Sequence, residues 1–120
     1  MLKIVFCCRR KADLSVEEFQ RYWLEQHGPL VRSLREALPA MTRYVQSHTL
    51  AGSDTDRLRA SRGTSEPFDG VAEIWMDNTV KAEDAAAARA AMARLIEDEM
   101  RFLDLPRSVI FMTEEHVLFE

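Results

Sequence analysis

The sequence has 120 residues, of which 47% are hydrophobic and 30% charged, and its formal net charge is -4. This is the length of one domain with its own apolar core, so we expect a single domain over residues 1–120. The composition excludes a disordered or fibrous chain, and no apolar run approaches the roughly 20 residues that span a bilayer. The negative charge argues against nucleic acid as the partner. Because no signal-peptide pattern is present, we expect a cytoplasmic protein.

The first two predicted elements are an apolar strand and a helix. Residues Leu2–Cys8 are rich in strand-forming side chains, which predicts a well-covered strand. A capping box of serine and glutamate begins at Ser15 and satisfies two backbone N–H groups at the start of a helix. Phe19, Trp23 and His27 follow at steps of four residues, so they share one helical face.

The Gly28-Pro29 pair predicts an interruption of this helix. Pro29 has no N–H to donate to the preceding turn, but it suits the first position of a new helical segment. We therefore expect a break at His27–Gly28 and a second segment from Pro29 to about Leu38. This places His27 at a helix C-terminus, where the helix dipole favours its protonated form.

Two strands are predicted on either side of a long polar segment. Residues Thr42–Leu50 alternate in the manner of a strand, and residues Val71–Met76 do the same after an Asp-Gly turn. Residues 51–68 are polar and rich in glycine and serine, without periodicity, which predicts a long surface loop.

The last two predicted elements are a long helix and a strand. Residues Thr79–Leu103 have an alanine-rich middle of high helix propensity, and Pro106 ends the pattern before a strand over Val109–Phe119. The acidic run Glu97–Glu99 is interpreted as a solvated helix face, or as an interface that pairs with Arg101 or Arg107.

The element order β-α-β-β-α-β predicts a ferredoxin-like α+β sandwich, because two right-handed crossovers place both helices on one face of a four-stranded antiparallel sheet. We expect Ile74, Met76 and Val45 beneath the helices. The opposite face is then expected to carry Tyr44, Gln46, His48, Glu73 and Trp75. A large aromatic on an open face would leave an apolar patch in water, which predicts a second copy packed sheet to sheet. The expected assembly is a homodimer with a central barrel, a dimeric α/β barrel.

With these elements placed, the sequence resembles the EthD family of the dimeric α/β-barrel superfamily, from about residue 3 to residue 116. The most specific match is the Trp-x-x-x-His-Gly-Pro pattern from Trp23 to Pro29. The other matching stretches are Arg10, 15–19, Tyr22, Leu30-Val31, 44–48, 68–75, 97–99 and 102–104. Residues 51–67 match no part of the family pattern.

The resemblance implies a range of functions. The founding EthD member is an accessory in the oxidative breakdown of a fuel ether, a xenobiotic degradation pathway. Fungal relatives look like dehydratases or decarboxylases of aromatic polyketide pathways, and neighbouring families include cofactor-free quinol monooxygenases, muconolactone isomerases and haem-degrading enzymes. A shared fold does not by itself carry any of these activities to a relative.

His27 is one candidate catalytic residue. It shares a face with Phe19 and Trp23, so burial would lower its pKa while the helix terminus would raise it, leaving it to titrate near neutrality. A general acid or base needs this property. The alternative is that His27 caps the helix end or fixes the Gly28-Pro29 turn.

The second group of candidate catalytic residues lies on the second and third predicted strands along the sequence. A His48–Glu73 pair would orient the imidazole as a base, and Tyr44 would donate a hydrogen bond to a developing oxyanion. The alternative is a polar network buried at the dimer interface. Trp23, Trp75 and Phe19 are candidate substrate-binding residues, although both tryptophans also suit a core or an interface.

We expect neither a metal nor a cofactor, because the histidines lack metal-ligand spacing and no phosphate-binding loop occurs. The interpretation is a cofactor-free lyase or isomerase (dehydratase, decarboxylase or isomerase) acting on a small hydrophobic or aromatic, polyketide-like ligand in the barrel cavity. The alternatives are an EthD-like accessory protein, or an oxidoreductase, cofactor-free or haem-binding, in oxidative degradation.

Overall fold

A computed structural model describes residues 2–120, in which four strands and four α-helices follow one another. The strands are β1 (Leu2–Cys8), β2 (Met41–His48), β3 (Gly70–Met76) and β4 (Val109–Glu114). The helices are α1 (Val16–Tyr22), α2 (Gly28–Ser33), α3 (Ser53–Arg62) and α4 (Ala85–Phe102). A π-helical turn, Trp23–His27, joins α1 to α2, and a 3-10 turn, Leu105–Arg107, precedes β4.

The strands form one antiparallel sheet in the order β2-β3-β1-β4. This order follows from two β-α-β crossovers that each skip one strand position, and it confirms the predicted ferredoxin-like α+β sandwich. The core lies between one sheet face, which we call the helix-side face, and the helices. It combines Phe6 and Cys8 of β1 with Phe19 of α1, Trp23 of the π-helical turn and Phe102 of α4.

The predicted break at His27–Gly28 is wrong. Gly28 has helical dihedral angles, and its N–H donates to the carbonyl of Trp23 five residues back. The helix therefore accommodates Pro29, which lacks an N–H, by widening into a π-helical turn instead of stopping. The second segment also ends earlier than predicted, at Ser33 and not near Leu38, and is followed by turns.

The segment predicted as a loop over residues 51–68 contains a helix, α3. None of its residues is buried, so it lacks the apolar stripe that sequence periodicity detects. Asp54 and Asp56 lie in its first turn and Arg59 and Arg62 in its last, where they complement the helix dipole. Gly63 ends the helix in the left-handed conformation, at φ 64°.

Two predicted boundaries were too wide. The last helix begins at Ala85 and not at Thr79, because the Asp84 side chain accepts a hydrogen bond from the N–H of Ala87 and caps it. Strand β4 ends at Glu114 rather than Phe119.

The predicted faces of β2 are reversed. Tyr44 pairs with Ile74 and His48 with Gly70, so the even-numbered residues of β2 lie on the helix-side face. Val45, predicted beneath the helices, pairs with Glu73 on the opposite face, which we call the open face. Ile74 and Met76 pack in or against the core, as predicted.

The reversal has a simple physical origin. Alternation fixes which residues share a face, but not which of the two faces meets the core. Here the core face of β2 carries amphipathic side chains that combine apolar area with hydrogen bonds, and the open face carries a valine, a serine and an arginine.

Candidate active site

The π-helical turn brings two backbone features to the sheet. The carbonyl of Trp23 accepts a hydrogen bond from the N–H of Gly28 and a second, of 2.8 Å, from Nε2 of Gln46 on β2. The turn is therefore joined to the edge strand of the sheet by a polar contact. Such π-helical insertions are frequent at functional sites.

His27 occupies the same turn and forms a buried pair with α4. Its Nδ1 lies 2.8 Å from Oδ2 of Asp98, and both residues are only 4% exposed. The hydroxyl of Tyr22 donates to the other oxygen of Asp98 at 2.6 Å. The Asp98 carboxylate thus joins α1, the π-helical turn and α4.

This environment determines the protonation of the pair. Burial lowers the pKa of His27, and it outweighs the opposite effect of the hydrogen bond with Asp98. Burial acts to raise the pKa of Asp98, but the hydrogen bonds from Tyr22 and His27 hold it below its usual value. The stable form at neutral pH is a neutral imidazole beside a carboxylate, and His27 is not at a helix C-terminus as predicted.

A second polar group runs along β2 on the helix-side face. His48 stacks on the indole of Trp23, with ring centroids 4.5 Å apart, and its Nε2 lies 2.9 Å from Oε1 of Gln46. The Nε2 group of Gln46 donates to the hydroxyl oxygen of Tyr44 at 3.2 Å. Burial lowers the pKa of His48, so its ring is neutral near pH 7. The three side chains form a hydrogen-bonded row that ends at the Tyr44 hydroxyl.

The Tyr44 hydroxyl is prepared to donate a hydrogen bond. Burial raises the pKa of Tyr44 to about 12, against the hydrogen bond from Gln46, which acts to lower it. The phenol is therefore protonated at physiological pH. Since its oxygen already accepts a hydrogen bond from Gln46, its O–H remains to be directed at a ligand.

Glu99 is the group of this region that titrates near neutrality. Burial, together with the charge of Asp98, raises the pKa of Glu99 to about 7. The side chain forms no hydrogen bond or ion pair within residues 2–120, and its charge acts on both Tyr44 and Cys8. The charge of Glu99 therefore acts on the core side of α4, and Glu99 is not part of a solvated face.

A cavity of about 640 Å³ opens between α2 and β2. Tyr44 and Gln46 supply polar groups to its wall. The other lining residues are Leu24, Gly28, Pro29, Val31, Arg32, Arg35, Met41, Thr42 and Arg43. A concave, mainly apolar pocket with a few directed polar groups is the usual form of a small-molecule site.

The predicted site residues fall into four separate places, the last of which is the open face with Glu73 and Trp75. Tyr44 lines the cavity, with His48 behind it on the Trp23 ring. His27 belongs to the buried Asp98 cluster and does not line the cavity. Phe19 and Trp23, predicted to bind substrate, are fully buried in the core and do not line the cavity either.

The predicted His48–Glu73 pair is wrong. Because His48 pairs with Gly70 and Glu73 with Val45, the two side chains point to opposite faces of the sheet. Glu73 instead binds Lys3 at 2.6 Å on the open face. Trp75 lies on the same face, where its indole donates to Glu115 at 2.6 Å.

Sequence reasoning missed four residues of these clusters. The acidic run is predicted to be a solvated face or to pair with Arg101 or Arg107. Only Glu97 fits the first description, and Asp98 lies 3.9 Å from Arg101 on the same helix. Gln46 and Tyr22 carry no motif of their own. One signal was available, since Asp98 precedes the apolar Phe102 by one helical turn and thus lies on its buried face.

Neither a metal cluster nor a membrane-spanning helix is found in the described part of the chain. Residues 2–120 contain no group of three or more His, Cys, Asp or Glu side chains placed to hold a metal ion. No helix in this range has the length and apolarity to cross a bilayer.

Comparisons with known proteins identify the family. The model of the EthD domain matches residues 11–106. An EthD family protein of Bacillus halodurans has a similar fold, with a TM-score of 0.60 at 16% identity over 97% of this chain and 99% of that one. An EthD-like protein of Ralstonia eutropha gives 0.54 at 18% identity over 98% and 95%.

A third solved structure shares the fold. A protein of Thermobifida fusca, described as a dimeric ferredoxin-like protein of unknown function, gives a TM-score of 0.50 at 16% identity over 93% of this chain and 88% of that one. The comparison with curated proteins gave no match. Because the family model covers most of the sequence and agrees with the observed fold, the chain belongs to the EthD family.

Proposed function

We propose that this protein binds a small apolar or aromatic carbonyl compound in the cavity and catalyses proton transfer on it without a cofactor. The observation that carries the proposal is the Tyr44 hydroxyl. Tyr44 lines the cavity, and its hydroxyl accepts a hydrogen bond from Gln46 and stays protonated, with its pKa raised to about 12 by burial. A group of this kind stabilises an oxyanion as it forms.

The chemistry follows from the protonation states. The carbonyl oxygen of the ligand accepts the O–H of Tyr44, and the bond between the α-carbon and its hydrogen breaks. The proton passes through water to Glu99, which does not line the cavity but whose charge acts on Tyr44, and the electron pair moves onto the carbonyl oxygen to give an enolate. A carboxyl with a pKa of about 7 can both accept and return a proton near neutrality. Isomerisation and dehydration share this enolate step, and decarboxylation reaches an enolate by loss of carbon dioxide instead.

Exchange of α-hydrogen for deuterium measures this step directly. We expect the protein to accelerate exchange in aryl ketones and aromatic β-keto esters dissolved in deuterium oxide, followed by proton NMR. Tyr44→Phe is expected to reduce the acceleration about 100-fold, since it removes one oxyanion donor. Tyr22→Phe makes the same chemical change outside the cavity and should retain the rate.

The pH dependence tests the role of Glu99. The wild-type exchange rate should rise with pH through about 7, as Glu99 becomes ionised, and Glu99→Gln should lose this rise. An equal rate in wild type and Tyr44→Phe, or no acceleration with any compound of the panel, would contradict the proposed function.

We also propose that a second copy of the chain packs on the open face. Phe111 lies on this face, opposite Val5, and is 47% exposed. Beyond β4, Val117, Leu118 and Phe119 are 70–90% exposed. Trp75 is partly covered within the chain, since Lys3 and Arg43 lie over its ring. The fold is shared with a protein described as dimeric, and two such faces together would form a central barrel.

Neighbouring residues of β4 give a matched test of this interface. Phe111 faces the open side, whereas Ile110 pairs with Phe6 on the helix-side face and is similarly exposed. We expect wild type and Ile110→Asp to be dimers by light scattering after size exclusion, and Phe111→Asp to be a monomer, because a buried unpaired charge opposes association. A monomeric wild type, or a Phe111→Asp dimer, would rule out the open face as the interface.

A further inference from the structure

The charged residues that line the cavity are all positive. Three of its eleven lining residues are arginines and none is acidic. Arg32 comes from α2 and Arg35 from the turn that follows, while Arg43 comes from β2. The chain as a whole carries a net charge of -4, so this concentration of positive charge is opposite in sign to the rest of the molecule.

Two of these arginines have no partner in the protein. Within residues 2–120, the side chains of Arg32 and Arg35 form neither an ion pair nor a hydrogen bond. Arg43 differs, because its guanidinium lies 4.4 Å from the centre of the Trp75 ring. Some arginines elsewhere pair with acids, as Arg59 does with Glu66 at 3.1 Å, whereas Arg21 and Arg89 have no such partner within residues 2–120.

Arg32 and Arg35 also border a neighbouring hollow, and Glu36 is the acidic residue found there. Glu36 does not line the cavity itself. Arg32 and Arg35 therefore lie at the rim of the cavity, and neither guanidinium donates to a carboxylate within residues 2–120. Guanidinium groups bind planar carboxylates through two parallel hydrogen bonds.

The other residues that line the cavity indicate the chemistry of the rest of the ligand. Leu24, Pro29, Val31 and Met41 supply apolar surface, and the Tyr44 hydroxyl supplies one donor. We propose that the cavity takes a carboxylic acid with an apolar or aromatic body, its carboxylate held by Arg32 and Arg35. The inference rests on the proposed function for the reacting carbonyl at Tyr44, but the anion site is defined by the arginines alone.

A binding measurement shows whether the protein recognises the charge of the ligand or only its shape. Isothermal titration of the full chain would compare 1-naphthoate with the neutral, equally shaped 1-naphthamide. We expect the carboxylate to bind at least about tenfold more tightly, a preference that weakens as salt is added. A third ligand, 1-naphthyl phosphate, tests the kind of anion, and tighter binding of the phosphate than of the carboxylate would overturn the assignment.

A pair of charge-matched variants assigns the preference to the two arginines. In Arg32→Gln with Arg35→Gln, the preference of naphthoate over naphthamide should fall to about one. Arg62→Gln with Arg89→Gln removes the same charge from exposed sites outside the cavity and should keep the preference. Equal binding of naphthoate and naphthamide to wild type, or equal loss in both variants, would overturn the inference.

The outcomes separate this inference from the proposed function. Tyr44→Phe should retain the preference for the carboxylate, since the phenol does not contact the anion. If the preference is found but Tyr44→Phe exchanges α-hydrogen at the wild-type rate, the enolate chemistry fails and the carboxylate site stands. If wild type shows no preference, the carboxylate site fails whatever the exchange rate.

Discussion

Replacing His27 with alanine is expected to lower the free energy of unfolding by about 3–5 kcal/mol, because it removes one of the two hydrogen bonds to the buried Asp98 carboxylate and leaves a cavity where the ring was. Both residues are 4% exposed, so water cannot replace the lost hydrogen bond without opening the core. The contact of the His27 ring with Phe102, with ring centroids 5.0 Å apart, is lost as well. The expected effect is therefore among the largest for a single side chain of this fold.

Urea denaturation at pH 8, followed by tryptophan fluorescence, measures this loss. His116→Ala is the matched control, because its side chain is 77% exposed and we expect a change within about 0.5 kcal/mol. Should His27→Ala fail to fold, Asp98→Asn keeps the shape of the carboxylate and should cost about 1–3 kcal/mol. A loss below about 1 kcal/mol in both variants would contradict a stabilising role for the pair.

The stability difference between wild type and His27→Ala is expected to depend on pH. Because burial lowers the pKa of His27 below its ordinary value of about 6.5, the unfolded chain binds the proton more readily. The contribution of His27 to stability is complete above pH 6.5 and decreases as the pH falls below that value. The stability difference between wild type and His27→Ala should therefore be largest at pH 8 and narrow toward pH 5.5.

The sequence predicted the fold well because its signals are local. The capping box at Ser15 forms as predicted, with Glu18 reaching back to the Ser15 N–H at 3.0 Å. The alternation of β3 likewise placed Ile74 and Met76 correctly, since the one charged residue of the strand, Glu73, lies on the opposite face. Element order then determined the topology.

The site was harder to predict because it depends on contacts between distant residues. His27 and Asp98 are 71 positions apart, and Trp23 is joined to Gln46 across the sheet interface. Neither contact leaves a pattern in one sequence, since each needs only a single polar residue on a helix face or strand. The face of β2 was ambiguous for the related reason that Tyr44 and Val45 are both acceptable core residues.

Gly70→Ala is expected to destabilise the protein by about 3 kcal/mol, because the site has no room for a methyl group. A Cβ atom there would lie 2.4 Å and 2.7 Å from two atoms of the Trp23 six-membered ring, and 3.0 Å from the carbonyl oxygen of Ser47. The indole cannot retreat, since it is packed between Phe19 and the stacked ring of His48. Chemical denaturation of the single variant measures the cost.

A double-mutant cycle assigns that cost to the indole. Phenylalanine at position 23 lacks the second ring, so Gly70→Ala should cost less than about 1 kcal/mol in a Trp23→Phe background, a coupling of about 2 kcal/mol. Gly28→Ala is the control, because its Cβ would make ordinary contacts at 3.5 Å in a helical backbone and should be neutral or slightly stabilising. Equal costs of Gly70→Ala in both backgrounds would show that strand β3 itself, and not contact with the Trp23 ring, requires glycine at position 70. The stacking of His48 on that ring would then not depend on Gly70.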